Sequence, residues 1–115
     1  YQTGDWSSPS TWTTDPGGTT FINPINGIPG YLDEVTILTG RTVSLTSNVA
    51  TTELDLTINN GGFLNLATYA FTSGLKSLSG QGTLKLSTNS FPSPVTTNTF
   101  VNAGGGTTDA AACYP

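Results

Sequence analysis

The chain has 115 residues, a length that fits one modest domain. Only 9% of them are charged, against roughly 25% in an average soluble domain. With a net charge of −4 and only Arg41, Lys76 and Lys85 as bases, it lacks the clustered cations that displace counterions from nucleic acid. No stretch approaches the ~20 apolar residues that span a bilayer as a helix, so no membrane span is expected.

Hydrophobic residues make up 35%, and the remainder is rich in Thr, Ser, Asn and Gly. That composition suits a narrow β core wrapped in neutral polar turns. Disorder is the alternative at such composition, but the apolar positions recur in columns, which a disordered chain has no reason to keep. The opening at Tyr1 fits a removed signal peptide or a fragment of something longer.

Residues 1–34 hold Trp6, Trp12, Phe21, Ile22 and Tyr31, interrupted by Pro9, Asp15-Pro16-Gly17-Gly18, Asn23-Pro24 and Pro29-Gly30. These dipeptides are turn signals. The segment stands outside the repeat that follows and reads as an N-terminal cap, folding its aromatics over an otherwise open end. The rival reading makes Trp6 and Trp12 an exposed carbohydrate platform. Asp5 and Asp15 sit among turns and are expected to bond local backbone amides.

From Val35 onward a unit of about twenty residues repeats. Val43-Ser44-Leu45, Leu64-Asn65-Leu66 and Leu84-Lys85-Leu86 recur at steps of 21 and 20 residues. Val35-Thr36-Ile37 and Leu56-Thr57-Ile58 are 21 apart, and Leu78 follows Ile58 by 20. Leu54, Leu75 and Val95 form a further column, as do Phe71 and Phe91. Alternation with period two marks strands, and a fixed unit step marks stacked coils. The expected fold is therefore all-β: a short right-handed parallel β-solenoid, or β-helix, of three to four ~20-residue coils behind an aromatic cap. Its predicted core is Val35, Ile37, Val43, Leu45, Leu56, Ile58, Leu64, Leu66, Leu78, Leu84 and Leu86, with Leu78 stacked on Ile58. Three coils occupy 35–97. Residues 98–115 form a partial fourth coil or a C-terminal cap, with Phe100-Val101 as its first strand and Gly104-Gly105-Gly106-Thr107 as its turn.

Little catalytic chemistry is available. The chain has no histidine, which removes Ser-His-Asp and Cys-His constellations and His-based zinc sites. A single cysteine, Cys113, cannot make an internal disulfide or a cysteine metal cluster. Gly80-Gln81-Gly82 lacks the third glycine and the helix of a dinucleotide fingerprint. One column remains as a candidate ligand site: Glu34, Asp55 and Lys76, each 21 residues from the last, with Glu53 flanking Asp55 on the same strand face. Such a column could place a sugar or hold a calcium ion; the plainer reading is a solvated ladder in which Lys76 offsets two carboxylates. No metal or other cofactor is expected. The outward threonines are too irregular for a flat ice-binding array, since Phe63 interrupts Thr42 and Thr83.

Three runs carry a resemblance: Gly4-Asp5-Trp6-Ser7-Ser8-Pro9-Ser10-Thr11-Trp12; Asp33-Glu34-Val35-Thr36-Ile37; and Gly40-Arg41-Thr42-Val43-Ser44-Leu45. Gly61-Gly62-Phe63-Leu64-Asn65-Leu66 and Gly82-Thr83-Leu84-Lys85-Leu86 extend it. Over about residues 4–86 the layout resembles the N-terminal β-helical regions of large secreted surface and adhesin proteins of gliding-type Gram-negative bacteria, which are type IX secretion cargo. It is also similar to G8-type β-helical domains. The resemblance implies an extracellular, cell-surface location and a role as adhesin, stalk or filament component. The partners it implies are secretion machinery or other surface proteins. It transfers no catalytic residue, because the matched positions are core and corner positions. The sorting domain that ends such proteins is not visible, which fits a fragment or leaves the export route open.

The function expected is thus a non-catalytic structural or adhesive module of a bacterial surface protein. The alternatives are a self-assembling filament subunit, pairing with copies of itself, and a carbohydrate-binding or carbohydrate-cleaving β-helix that takes glycans at Glu34, Asp55 and Lys76.

Overall fold

The computed structural model describes residues 1–24, 27–85, 92, 94–100 and 107–108. The described residues are all-β, without an α-helix; one 3-10 turn spans Pro9–Thr11. The strands are β1 Gly4–Asp5, β2 Glu34–Ile37, β3 Thr42–Ser44, β4 Asp55–Ile58, β5 Phe63–Asn65, β6 Leu75–Ser79, β7 Thr83–Lys85, β8 Val95–Asn98 and β9 Thr107–Thr108.

Alternate strands join alternate sheets. One sheet has the order β1-β3-β5-β7-β9 and the other β2-β4-β6-β8, and every pairing is parallel. This arrangement is consistent with a β-solenoid. The local cause lies in residue choice: Val, Ile and Thr alternate at Val35-Thr36-Ile37 and Leu56-Thr57-Ile58, and branched side chains fit a pleated, half-buried surface. The corners require other backbone. Gly80 turns at φ 104°, and a Cβ there would press on the backbone of Ile58. A residue with a side chain would be strained at that corner twice over, by conformation and by contact.

The register follows the sequence repeat on the first sheet. Val43 stacks on Leu64 and Leu64 on Leu84. On the second sheet Val35 stacks on Leu56 and Ile37 on Ile58. Leu78 departs from expectation: it pairs with Leu56, not Ile58. The reason is a bulge in β6. The N–H groups of Lys76 and Ser77 both donate to the carbonyl of Leu54, at 2.9 and 3.3 Å, so two residues oppose one. Leu75 and Leu78, three apart, are consequently both buried.

Side chains between the two sheets form one core. It includes Val35, Ile37, Val43, Leu45, Leu54, Leu56, Ile58, Leu64, Leu66, Phe71, Leu75, Leu78 and Leu84. Burying each such Leu or Ile contributes roughly 1.5–3 kcal/mol. Leu86, Phe91, Val101, Gly104 to Gly106 and Cys113, to which the sequence also gave roles, lie outside the described residues.

Both ends differ from the sequence reading. Gly4 and Asp5 are not outside the repeat; as β1 they pair with Val43 and Ser44. Two alternating residues are too short a run to announce a strand. The fourth strand of the second sheet is β8, ahead of Phe100, and Phe100 itself lies in a bend and is fully buried.

Candidate functional site

Glu34 opens β2 and Asp55 opens β4, and the two are register partners on adjacent strands. Lys76 does not continue their column. The bulge puts Ser77 opposite Asp55 and leaves Lys76 to its side. Ser77 Oγ donates to Asp55 Oδ1 at 2.6 Å, and Lys76 Nζ lies 3.9 Å from Asp55 Oδ2. Both oxygens of Asp55 are thereby engaged. Lys76 is half exposed, so its ion pair contributes only about 0–1 kcal/mol. Glu53, expected on the same strand face, instead occupies a left-handed turn before β4, at φ 60°.

This geometry suits a satisfied surface ladder. Glycoside cleavage needs two carboxyl groups facing each other across a sugar bond. Here Glu34 and Asp55 stand side by side on one sheet, and Asp55 is held by its own neighbours. Calcium takes six to eight oxygen ligands, whereas the column supplies two carboxylates with an ammonium beside one. Among the described residues no group of three or more His, Cys, Asp or Glu is placed to hold a metal ion.

Trp6 and Trp12 offer no exposed platform. They are 2% and 8% exposed, and Trp12 Nε1 donates to the Trp6 carbonyl at 2.8 Å. Their rings meet edge to face with centroids 5.1 Å apart. Thr11, between them in sequence, is buried too, its hydroxyl donating to the Asp5 carbonyl at 2.8 Å. Gly4 is small because of it: a Cβ there would collide with the Thr11 hydroxyl.

Asp15 organises the loop that follows. Its Oδ1 accepts from the N–H of Gly17 and its Oδ2 from the N–H groups of Thr19 and Thr20. The Thr20 bond, then those of Gly17 and Thr19, hold its carboxyl below the ordinary range. Thr13 Oγ1 ties the same loop, accepting from Asp15 and Ile22 N–H groups and donating to the Thr20 carbonyl.

The sequence did not foretell a cleft of about 730 Å³ between this N-terminal segment and β2. One wall carries Trp12 to Pro16, Pro24, Ile28 and Pro29; the other carries Asp33 to Thr36 and Leu38, with Tyr1 and Asn59 also lining it. The signal was present in the prolines. A Pro-rich segment beside a strand cannot donate to it as a ladder partner, and so leaves a gap. Of the candidate column only Glu34 lines this cleft; Asp55 and Lys76 do not.

Among the described residues no helix is long and apolar enough to cross a membrane. No family model matches the chain, and no match was found among curated proteins or solved structures.

Proposed function

We propose that the chain is a right-handed parallel β-solenoid of three to four coils, closed at its N-terminal end by Trp6 and Trp12. Its work is structural or adhesive, outside the cell and on a bacterial surface, and it catalyses no reaction. The observation that carries this reading is the alternation of strands between two parallel sheets over one shared apolar interior. In such stacks each coil contacts only its neighbours, and length and surface chemistry set the use. Right-handedness follows the general rule for parallel crossovers within a sheet. The display reading leans on the resemblance of the Gly4–Trp12 and Asp33–Leu45 motifs and on the scarcity of charge. Against carbohydrate cleavage stands Asp55, held by Ser77 and Lys76.

The test is to locate the native protein by antibody in cell fractions and to weigh it intact. Recovery from the surface or medium is expected. Retention in the cytosol would remove the display reading. Release of products from a panel of polysaccharides would overturn the non-catalytic one.

A further inference from the structure

Strand β2 is an edge. Among the described residues it pairs only with β4. The Asp33 and Ile37 carbonyls accept from the N–H groups of Asp55 and Asn59, so the odd-numbered residues of β2 turn their backbone toward β4. Successive residues of a parallel strand bond to opposite sides. The N–H and C=O groups of Glu34 and Thr36 therefore point the other way, toward the cleft, where no described strand lies. An unpaired edge of this kind is a template for another chain.

The cleft decides what fits. Its volume of about 730 Å³ lies within the range of ordinary ligand pockets, roughly 300–1,000 Å³. The wall facing β2 contains Pro16, Pro24 and Pro29, which have no N–H to offer, so that wall cannot close the ladder itself. Trp12 and Ile28 supply apolar lining. Asp15, Asp33 and Glu34 line the cleft, and neither Lys nor Arg does. Two of the carboxylates are engaged locally: Asp15 by its loop, and Asp33 by the N–H of Gly30 at 2.6 Å. The Tyr1 amino group, on the same cleft, donates to the Thr11 carbonyl at 2.8 Å. Glu34 is exposed on the edge itself.

We propose that this cleft accepts one extended peptide segment bearing a basic residue, supplied by a partner protein and adding beside β2 as a further strand. Backbone bonds to Glu34 and Thr36 provide the affinity, and a Lys or Arg across from Glu34 provides the selection. A second copy of this chain is the poorer occupant. Its end presents a whole coil, whereas the proline wall leaves room for a single strand beside β2. Glu34 also discourages neutral or acidic strands from pairing there, as edge charges do generally. The cleft accepts such a segment wherever the protein resides, so the proposal stands apart from surface display.

The experiment titrates the peptide acetyl-Val-Lys-Val-Lys-Val-amide into the whole chain and follows amide resonances. The expected result is larger shifts at Glu34 and Thr36 than at Val35 and Ile37. Replacing Lys by Glu in the peptide should weaken binding by at least about tenfold. A fully backbone-N-methylated peptide of the same charge should not bind. Thr36→Pro removes only a cleft-side donor, so it should keep the native melt and lose binding. Equal binding of the N-methylated peptide to the wild-type chain would overturn the proposal, and this comparison does not depend on whether Thr36→Pro folds. Concentration-dependent shifts of the Glu34 and Thr36 amides without peptide would overturn it in favour of a second copy.

Discussion

Trp6 and Phe71 meet edge to face, their ring centroids 5.2 Å apart and their planes at 79°. Phe71 in turn lies beside Val49 in a parallel bridge. The N-terminal segment is thereby fastened to the second coil and not merely laid against the first. Truncating a buried aromatic of this size costs about 3–5 kcal/mol. Trp6→Ala should lower the denaturant midpoint by a corresponding amount. A double-mutant cycle of Trp6→Leu with Phe71→Leu should return a coupling of about 0.5–1.5 kcal/mol. Additive effects would mean the contact itself contributes nothing.

Leu64 sits on the central strand of its five-stranded sheet, fully buried between Val43 and Leu84. Leu64→Ala should cost about 2–5 kcal/mol. Leu64→Asp places an unpaired charge in the same position and should abolish cooperative folding. Circular dichroism melting measures both. A wild-type melt from the Asp variant would show that the register is wrong.

Lys76→Ala should shift stability by less than about 1 kcal/mol, because its ammonium is half exposed and 3.9 Å from Asp55. Ser77→Ala should cost more, about 1 kcal/mol, since it removes the 2.6 Å bond to the same carboxylate. Glycan titration against wild type and Asp55→Ala should show no difference. A loss of glycan binding on that substitution would restore the column as a ligand site.

Asp15 gives the loop over 13–22 a pH dependence of definite sign. Its folded carboxyl is held below the ordinary value by backbone donors. Its contribution is therefore complete above the unfolded carboxylate range and is lost as pH falls through the lowered folded value. The amide resonances of Gly17, Thr19 and Thr20 should move together in that acid window. Asp15→Asn should remove the transition while leaving the sheets folded.

Much of this architecture is legible in the residues. The 21-residue spacing of Val43 and Leu64, and of Val35 and Leu56, fixed which side chains stack. Turn dipeptides separated the N-terminal segment from the repeat. The bulge was not legible, because Leu75-Lys76-Ser77-Leu78 places its apolar residues three apart and carries no mark of which residue is extra. Counting from Ile58 gave a plausible 20-residue step and the wrong partner for Leu78. Lys76 was misplaced in the ligand column for the same reason. The cleft was missed because it depends on which strand edge the prolines face, a relation between segments distant in sequence.

The bulge in β6 has a consequence for how such a chain can lengthen. From β4 to β6 the second sheet advances 22 residues, Asp55 to Ser77, while from β5 to β7 the first advances 20, Leu64 to Leu84. The two sheets therefore keep separate counts through this stretch. A tandem copy of residues 42–62 would slot into the stack with every apolar residue facing inward, because both sheets step by 21 there. A copy cut at the same length across Lys76 and Ser77 would turn the second sheet inside out by one residue. Gene duplication can extend this protein from its N-terminal coils, and is barred from doing so through its third.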